Sequence, residues 1–439
     1  LRGQHLHIGD FANSEKVPFN VNKEKERNKT PDDLQNYVMK EVFRNSGVPK
    51  ELKDWLEIKV FGRYLWEYGF WNLLYRFLTS EAYRFLKYGS GYDTNASNGN
   101  AVVLMPTGGE YSSDNTYLTL EDGMEALPKR LYQEFQQLGG KCKPNHRLDS
   151  IKRLEDKNYN LRFTLKPDEK HYEKTTSIEP ANYKAKRVIL AMPKAALERI
   201  DWEPFKDPKV KEMLDSVLIQ EAVKIFLAYD HAWWKELGLV YGRSITDLPI
   251  RQIYYFTDPS DDDPKEKTPT ILGVLMASYS DIESVPFWHG LEKDSDYDGP
   301  KEGYRATHMM AQEAHRQAME IHRLSNPHLP YAAAYRDWSD TPSGGAWHSW
   351  KAGYKYDDIM RNIRHPVKDE EVYICGEAYS TNQGLAEGAL ETAEELLKDL
   401  GLVPLLRDAP PDLAPPRDIH TKRGFDGYHL YDTKGRLVE

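Results

Sequence analysis

The segment 372–394 has the residue types and spacing of a ligand-binding connection between a strand and a helix. An apolar run ends at Gly376, the acidic Glu377 follows at the strand tip, and a helix opens near Gly384 and Gly388. This order aims backbone N–H groups and the positive end of a helix at a ligand lying across the strand end. From local physics alone, a plain strand-to-helix connection stays an equal alternative.

Other sequence signatures of catalysis are missing from the chain. It has no G-x-G-x-x-G, no P-loop, no G-x-S-x-G and no H-E-x-x-H pattern. His308, His315 and His322 recur every seven residues on one predicted helix, without Cys or carboxylate companions at ligand spacing. Because metal sites need a clustered set of ligands, we interpret these histidines as a packed or solvated helix face and predict no metal.

The elements that must position the 372–394 segment are predicted from periodicity. A continuous apolar run over 187–192 ends at Pro193 and predicts a buried strand. A helix after Gly123 carries one apolar face and stops at Gly139; the face consists of Met124, Leu127, Leu131, Phe135 and Leu138. Further strand patterns predict a sheet-based module and lie at 147–154, 160–165, 222–229, 251–256 and 271–279. Residues 302–324 predict one helix.

The N-terminal part of the chain predicts helices. Thr30 as N-cap, followed by Pro and two acids, starts an amphipathic helix that we expect to end near Gly47. Residues 61–88 are crowded with aromatic side chains at helical spacings, which predicts an all-helical module with most rings in the core and a substrate-lining role as the alternative. Residues 89–116 predict a loop region.

Composition sets the protein class. The chain has 439 residues, 40 % of them apolar, and 69 acidic against 59 basic side chains give a net charge of −10. This acidic balance without a basic block argues against nucleic acid as a partner. No window reaches the ~18 apolar residues of a membrane span. We therefore expect a soluble protein. Two cysteines, Cys142 and Cys375, cannot form a disulfide framework, and the one bridge they allow leaves the compartment, secreted or cytoplasmic, undecided.

Several ordered segments resemble the flavin-dependent amine oxidase family in its L-amino-acid oxidase form. The segment Gly376-Glu-Ala-Tyr-Ser, continued by Gln383-Gly and Glu387-Gly-Ala-Leu-Glu, is similar to the family's C-terminal flavin-binding motif. Similar blocks lie at 120–128, 188–193, 224–228, 244–255 and 277–281. Their order and spacing agree with the family from about residue 30 to about residue 400.

The resemblance implies an α/β and α+β multidomain architecture that binds FAD. It implies a helical domain with an N-terminal arm, a discontinuous and partial FAD-binding domain, a sheet-based substrate-binding domain and a C-terminal tail. The expected ranges are 1–116 for the helical domain and its arm, 117–220 with 345–400 for the FAD-binding domain, 221–344 for the substrate-binding domain and 401–439 for the tail.

The resemblance also assigns cofactor-binding residues. Glu377, directly after Gly376, would lie near the ribityl and phosphate part of FAD. Leu148, after the turn at 141–146, would bind the adenine end through its main chain. The backbone N–H groups over the flavin pyrimidine would come from four residues, Gly384, Leu385, Ala386 and Gly388.

Two residues are implied to act on the substrate. Lys224 matches the family lysine that holds a water near flavin N5, with a strand-edge lysine in water as the alternative. If buried there, its pKa would be lowered and it would assist imine hydrolysis or oxygen reduction. Tyr279 would donate a hydrogen bond to the substrate carboxylate, and Ser278 can also be aligned at that position.

A loop similar to the family segment that passes over the substrate contributes further candidates. It carries Ala346, Trp347 and Trp350, and core packing is the alternative for the two tryptophans. Leu385 is also a substrate candidate, but the family usually has an aromatic residue at this position, directly after the glycine.

The implied reaction is the oxidative deamination of an L-amino acid. Hydride transfer from Cα to flavin N5 and reoxidation by O2 would give a 2-oxo acid, ammonia and hydrogen peroxide. An amino-acid 2-monooxygenase that yields an amide and a non-catalytic truncated chain are the alternatives. The acidic run 261–263 would favour a cationic substrate or form a solvated face.

The family's N-terminal βαβ unit, with its glycine-rich loop and a carboxylate-binding Arg, has no counterpart in this sequence. We therefore expect that Leu1 is a processed or internal start and that a further chain or segment completes the FAD site. We also expect a homo-oligomer.

Overall fold

The computed structural model describes residues 1–44, 52–104, 119–120, 122–165, 179–240, 242–255, 273–293, 306–325, 329–339, 344–402, 430–431 and 437–438. They divide into two compact units. The first holds the described residues of 1–115 and 218–355, and the second holds those of 116–217 and 356–439. The predicted helical and substrate-binding ranges therefore fall in one unit, and most of the predicted tail lies outside the described residues.

The α-helices of the described residues are, in chain order, α1 Pro31–Phe43, α2 Leu52–Trp55, α3 Phe70–Phe77, α4 Ser80–Ser90, α5 Ala101–Leu104, α6 Ala126–Gln137, α7 Lys194–Leu197, α8 Pro208–Leu214, α9 Val285–His289, α10 His308–His322, α11 Tyr356–Ile363 and α12 Ala386–Asp399. No described helix combines the length and the apolar composition that crossing a bilayer requires.

The strands are β1 Lys59–Val60, β2 Arg63–Tyr64, β3 Thr119–Leu120, β4 His146–Arg153, β5 Tyr159–Leu165, β6 Ala181–Ala185, β7 Val188–Ala191, β8 Val217–Gln220, β9 Ala222–Tyr229, β10 Gly242–Ile245, β11 Gln252–Tyr255, β12 Gly273–Asp281, β13 Ala332–Asp337, β14 Trp347–Trp350, β15 Val372–Cys375, β16 Leu430–Tyr431 and β17 Leu437–Val438. Every strand predicted from the sequence is present within the described residues. Ten further strands in this part of the chain were not predicted, namely β1, β2, β3, β6, β8, β10, β13, β14, β16 and β17.

An antiparallel sheet in the order β10-β11-β12-β9-β13 forms the centre of the first unit. Side chains on β9 alternate between its two faces, as the period of a strand requires. Val223, Ile225, Leu227 and Tyr229 are buried against α9 and α10, so this face is the core of the unit. The opposite face carries Lys224 and is only half-buried.

The N-terminal helices belong to the same unit. The predicted capping box is confirmed, because the Thr30 side chain accepts the N–H of Asp33 and α1 starts at the proline that follows Thr30. The helix packs on α4 and ends at Phe43, earlier than expected, while Gly47 lies outside the described residues.

Two predictions for this region are wrong in part. The module over 61–88 is not all helical, since β1 and β2 pair as a short hairpin whose turn residue Phe61 has φ 50° and is exposed. The expected loop over 89–116 contains the helix α5, and its remainder, 105–116, lies outside the described residues.

Within its described residues, the second unit holds three small sheets. β7 and β15 pair in parallel, β4, β5 and β6 form an antiparallel sheet, and β16 pairs with β3 and β17. Tyr373 and Cys375 of β15 pack against Leu396 of α12 in a small core.

The predicted burial of β7 is wrong for one face. Its side chains alternate between buried and exposed, and Ile189 is 45 % exposed. Among the described residues β7 pairs with β15 alone, so the apolar run lacks the cover that a parallel sheet normally has on both faces.

The predicted helix with one apolar face is confirmed as α6. Its apolar side chains are nevertheless exposed, from 47 % for Leu127 to 88 % for Leu138 just after the helix. We call these residues the α6 face; they are Met124, Leu127, Leu131, Phe135 and Leu138.

Candidate functional site

The backbone leaves β15 through a conformation that favours glycine. Gly376 has φ 138°, and its N–H donates to the hydroxyl of Thr392 on α12 at 2.8 Å. L-residues rarely adopt this conformation, so glycine is required where the chain turns from the strand end. The turn places Glu377 directly beyond the strand tip, as the sequence predicts.

Glu377 holds the loop that leads into α12. Its Oε1 accepts the backbone N–H of Gly384 at 2.5 Å, and Gly384 itself has φ 87°. A second carboxylate, Glu391 of α12, accepts the Thr381 hydroxyl at 2.8 Å. The loop is thereby fixed both to the strand tip and to the helix.

Gly388 lets this loop pack against the first turn of α12. A Cβ at position 388 would lie 2.3 Å from the carbonyl oxygen of Asn382 and 2.3 Å from the hydroxyl of Ser380. The carbonyl belongs to the backbone and cannot rotate away. Any larger residue would therefore move the loop off the helix.

The start of α12 offers backbone donors. Leu385 is the N-cap and its aliphatic side chain makes no capping hydrogen bond. Two of the four predicted donors are used within the protein, because Gly384 donates to Glu377 and Gly388 donates to the carbonyl of Leu385 at 3.2 Å. Leu385 and Ala386 donate their N–H to no other described residue, and both are exposed. These two groups fit a carbonyl or anionic ligand at the helix N-terminus.

Leu148 lies in another part of the second unit. It pairs with Phe163 across β4 and β5, directly before a β-bulge. The structure shows nothing more about adenine binding, so this assignment stays a prediction.

Lys224 lies in the middle of the first unit's sheet. It is paired with Tyr279 of β12 on one side and with Arg336 of β13 on the other. Its ammonium is 4.5 Å from the ring centroid of Tyr279 and 5.5 Å from that of Trp338. β9 is an interior strand and Lys224 is half-buried, so the alternative of a strand-edge lysine in water does not describe it. Burial lowers the pKa of Lys224.

A β-bulge decides which residue of β12 faces Lys224. The register shifts between Met276 and Ser278, which turns Tyr279 to the face that carries Lys224. Ser278 instead points into the core, where it is fully buried and donates to the carbonyl of Ile250 at 3.1 Å. Of the two residues that align with the family tyrosine, Tyr279 is thus the one beside the lysine.

Two further tyrosines surround Tyr279. The ring of Tyr92 meets it edge-to-face at 5.4 Å, and the hydroxyls of Tyr92 and Tyr254 share a hydrogen bond of 2.8 Å. The guanidinium of Arg243 lies 5.6 Å from the Tyr92 ring. The sequence reasoning missed Tyr92 and Arg243, because neither stands in a segment with a recognisable pattern of its own.

A buried ionic cluster fixes Tyr92 beside Tyr279. Asp281, at the end of β12, accepts the backbone N–H of Asp93 at 2.9 Å and both the N–H and the hydroxyl of Thr94. Arg251 lies 3.3 Å from the Asp93 carboxylate. Burial raises the pKa of Asp281 and raises that of Asp93 to about 6. The cluster positions the chain segment that carries Tyr92.

The candidate substrate loop joins the same unit. Gly345 has φ 130°, and the N–H of Ala346 donates to the carbonyl of Gln220 at 2.8 Å. Trp347 is half-buried and keeps exposed surface. Trp350 is 0 % exposed, which favours core packing over a substrate wall for that residue.

Comparison with known proteins identifies the chain's relatives. A family model, described as flavin containing amine oxidoreductase, matches residues 2–395. The chain belongs to this family. Membership confirms the expected flavin cofactor, FAD, and the expected mixture of helices and sheets.

Similar proteins agree with the family match. Aplysianin-A of Aplysia kurodai is 28 % identical over 420 residues, which cover 91 % of this chain and 73 % of that protein. Achacin of Lissachatina fulica is 26 % identical over 390 residues, which cover 85 % of this chain and 70 % of its own length. An L-amino-acid oxidase of Bungarus fasciatus is 26 % identical over 283 residues, or 64 % of this chain and 48 % of that protein.

The residues of the second unit fit the flavin of an amine oxidoreductase. The exposed N–H groups of Leu385 and Ala386 suit the carbonyl oxygens of a flavin ring, and Gly388 lets the loop lie close to the helix. A helix N-terminus also favours a ring that gains negative charge. Which residues of this amine oxidoreductase touch the flavin stays a prediction.

Proposed function

We propose that this amine oxidoreductase is an L-amino-acid oxidase. It would convert an L-amino acid, O2 and water into a 2-oxo acid, ammonia and hydrogen peroxide. The observation that carries the proposal is the half-buried Lys224 facing Tyr279, in a chain whose family binds flavin and whose relatives include proteins named L-amino-acid oxidase.

FAD supplies the redox chemistry when bound, as it accepts a hydride from the substrate and passes electrons to O2. The chain's own contribution begins at α12, where the N–H groups of Leu385 and Ala386 would donate to the flavin ring. The positive end of the helix would stabilise negative charge there. Glu377 would keep the loop in place through its bond to Gly384.

The first unit would bind the amino acid. The Tyr279 hydroxyl would donate a hydrogen bond to the α-carboxylate, and its ring is held by Tyr92. Ala346 and Trp347 would line the substrate from their loop. Leu385, the remaining substrate candidate, belongs to the second unit, and its contact with substrate stays a prediction.

Lys224 would act on water. Desolvation lowers the pKa of its ammonium, so a larger fraction of Nζ is neutral at neutral pH than in an exposed lysine. A neutral Nζ accepts a proton from a water molecule, which then adds to the carbon of the imino acid. General base catalysis of this kind contributes about 10²–10⁴-fold to a rate.

We infer that the second unit is the partial FAD-binding domain and that a further polypeptide segment packs on it. The α6 face and the exposed side of β7 present apolar surface that a monomeric domain normally covers. An N-terminal dinucleotide-binding segment, in the same chain or in a separate one, would supply that cover. The oligomeric state and the cellular compartment stay predictions.

A panel of L- and D-amino acids tests the proposed function. The purified holoenzyme should bleach its flavin absorbance with L-amino acids in the absence of air, and in air it should release ammonia and peroxide in equal amounts. Formation of an amide and carbon dioxide instead would identify a monooxygenase. A flavin that no amino acid reduces would show a non-catalytic chain and refute the proposal.

A further inference from the structure

Three side chains that could ligate a metal converge at one end of the first unit's sheet. His289 ends α9, Glu292 follows three residues later, and Asp337 ends β13. Their ligand atoms all lie within 4.8 Å of one another. One imidazole and two carboxylates form a donor set that suits divalent transition metals such as Zn²⁺.

Both carboxylates approach the same ring nitrogen. Nε2 of His289 lies 2.9 Å from Oδ2 of Asp337 and 4.0 Å from Oε1 of Glu292. His231 gives the contrast, because its two acidic neighbours approach different ring nitrogens: Asp230 lies at Nδ1 and Glu236 at Nε2. A single ion can contact all three groups in the first arrangement but not in the second.

Neighbouring donors orient the two carboxylates. The backbone N–H of Ser339 donates to Oδ1 of Asp337 at 2.7 Å. Oδ2 of Asp337 contacts Nε2 of His289 at 2.9 Å, so the ion would take the place of the proton between these two atoms. The Tyr335 hydroxyl donates to Glu292 at 3.1 Å. Such supporting hydrogen bonds are typical around metal ligands.

We propose that His289, Glu292 and Asp337 bind one divalent transition-metal ion, with water completing its coordination. With bonds of about 2.0–2.1 Å, tetrahedral ligand atoms are roughly 3.3 Å apart. The 2.9 Å separation must therefore open slightly and the 4.0 Å separation must close. Glu292 can make this movement, because its side chain is 43 % exposed.

The site is separate from the Lys224 face. Asp337 pairs with Val223, whose side chain lies in the core, whereas Arg336 pairs with Lys224. Side chains of successive strand residues point to opposite faces, so the ion would lie on the α9 side of the sheet. It would link α9 to β13, which is an edge strand of this sheet. The expected role is structural.

Zinc binding tests the proposal directly. The purified protein is treated with a chelator and dialysed against ZnCl₂, and bound zinc is measured by mass spectrometry and affinity by calorimetry. We expect one Zn²⁺ per chain lost in His289→Gln and Glu292→Gln, and retained in the matched control His231→Gln. Tyr335→Phe should weaken binding by roughly 10-fold. Zn²⁺ should also raise the thermal midpoint of the wild-type protein, and less so that of Glu292→Gln.

Two results would overturn the proposal. One is a wild-type protein that retains no Zn²⁺ after dialysis. The other is equal zinc content and affinity in wild type and Glu292→Gln. Glu292→Gln is the decisive variant, since the Glu292 side chain is partly exposed and circular dichroism can show that the fold is kept.

Discussion

The buried carboxylate of Asp93 should make the first unit less stable as the pH rises from 4 to 7. Asp93 is 4 % exposed and lies between Arg251 and the segment held by Asp281. Burial outweighs the attraction of Arg251 and raises the pKa of Asp93 from its usual 3.8 to about 6. The substitution Asp93→Asn removes the ionisation and keeps the size of the side chain.

The magnitude follows from the two pKa values. Between pH 3.8 and about 6 the folded protein binds a proton that the unfolded chain has lost, so the free energy of unfolding falls as the pH rises. The pKa difference corresponds to about 3 kcal/mol, all of which is lost above the folded-state pKa. Asn does not ionise, so the variant should gain about 2.4 kcal/mol relative to wild type between pH 4 and pH 7, the part of this loss that falls in that range.

Denaturant titration at a series of pH values measures this difference. Tryptophan fluorescence reports on the first unit through the buried Trp233, Trp234 and Trp288. Asp32→Asn, an exposed position on α1, is the control and should run parallel to wild type. If the wild-type and Asp93→Asn curves keep a constant separation from pH 4 to pH 7, burial of the Asp93 charge does not control the pH dependence.

Three further substitutions have defined outcomes. Lys224→Met should slow turnover by about 10²–10⁴-fold with flavin still bound, whereas the exposed Lys209→Met should not; unchanged turnover would remove Lys224 from the mechanism. Gly388→Ala should lower the free energy of unfolding by roughly 1–3 kcal/mol, seen as a lower thermal midpoint, and should also lower the flavin content. Gly9→Ala is the control, because Gly9 has open space around it. Leu131→Ser should change the free energy of unfolding of this chain by less than about 0.5 kcal/mol, because the side chain is 57 % exposed. It should weaken co-purification of any N-terminal flavin-binding segment. A large loss of stability in the absence of that segment would show that the α6 face is covered within this chain.

Strong periodicity made most of the central elements predictable. β9 is an apolar run interrupted by Lys224 alone, and α12 follows a strand-end glycine, so both were found with small errors in their bounds. β13 was missed because Ala332–Asp337 begins with three alanines and has no alternation. The sequence therefore did not place Arg336 or the proposed metal ligand Asp337 beside β9, where the pairing of β13 with β9 puts them.

The direction of a side chain and the burial of an apolar face both depend on tertiary structure, so the sequence pattern could not predict them. A single extra residue in β12 decides between Ser278 and Tyr279, and nothing local in the sequence marks the bulge. The apolar stripe of α6 was correct as a pattern. Such a stripe is usually buried in a core, but the α6 face is exposed in this structure. Its burial depends on other segments that pack on it, and the stripe itself does not specify them.

The position of Tyr279 depends on two features of the same strand. The bulge before Ser278 turns the tyrosine toward Lys224, and Asp281 two residues later binds the segment that brings Tyr92 against its ring. Both features lie within β12, so the hydroxyl proposed to bind the substrate is fixed by backbone geometry and a buried carboxylate. On a flexible loop the position of this hydroxyl would be less well defined. Loss of either feature should therefore affect substrate affinity more than flavin content, since the flavin contacts proposed at α12 belong to the other unit.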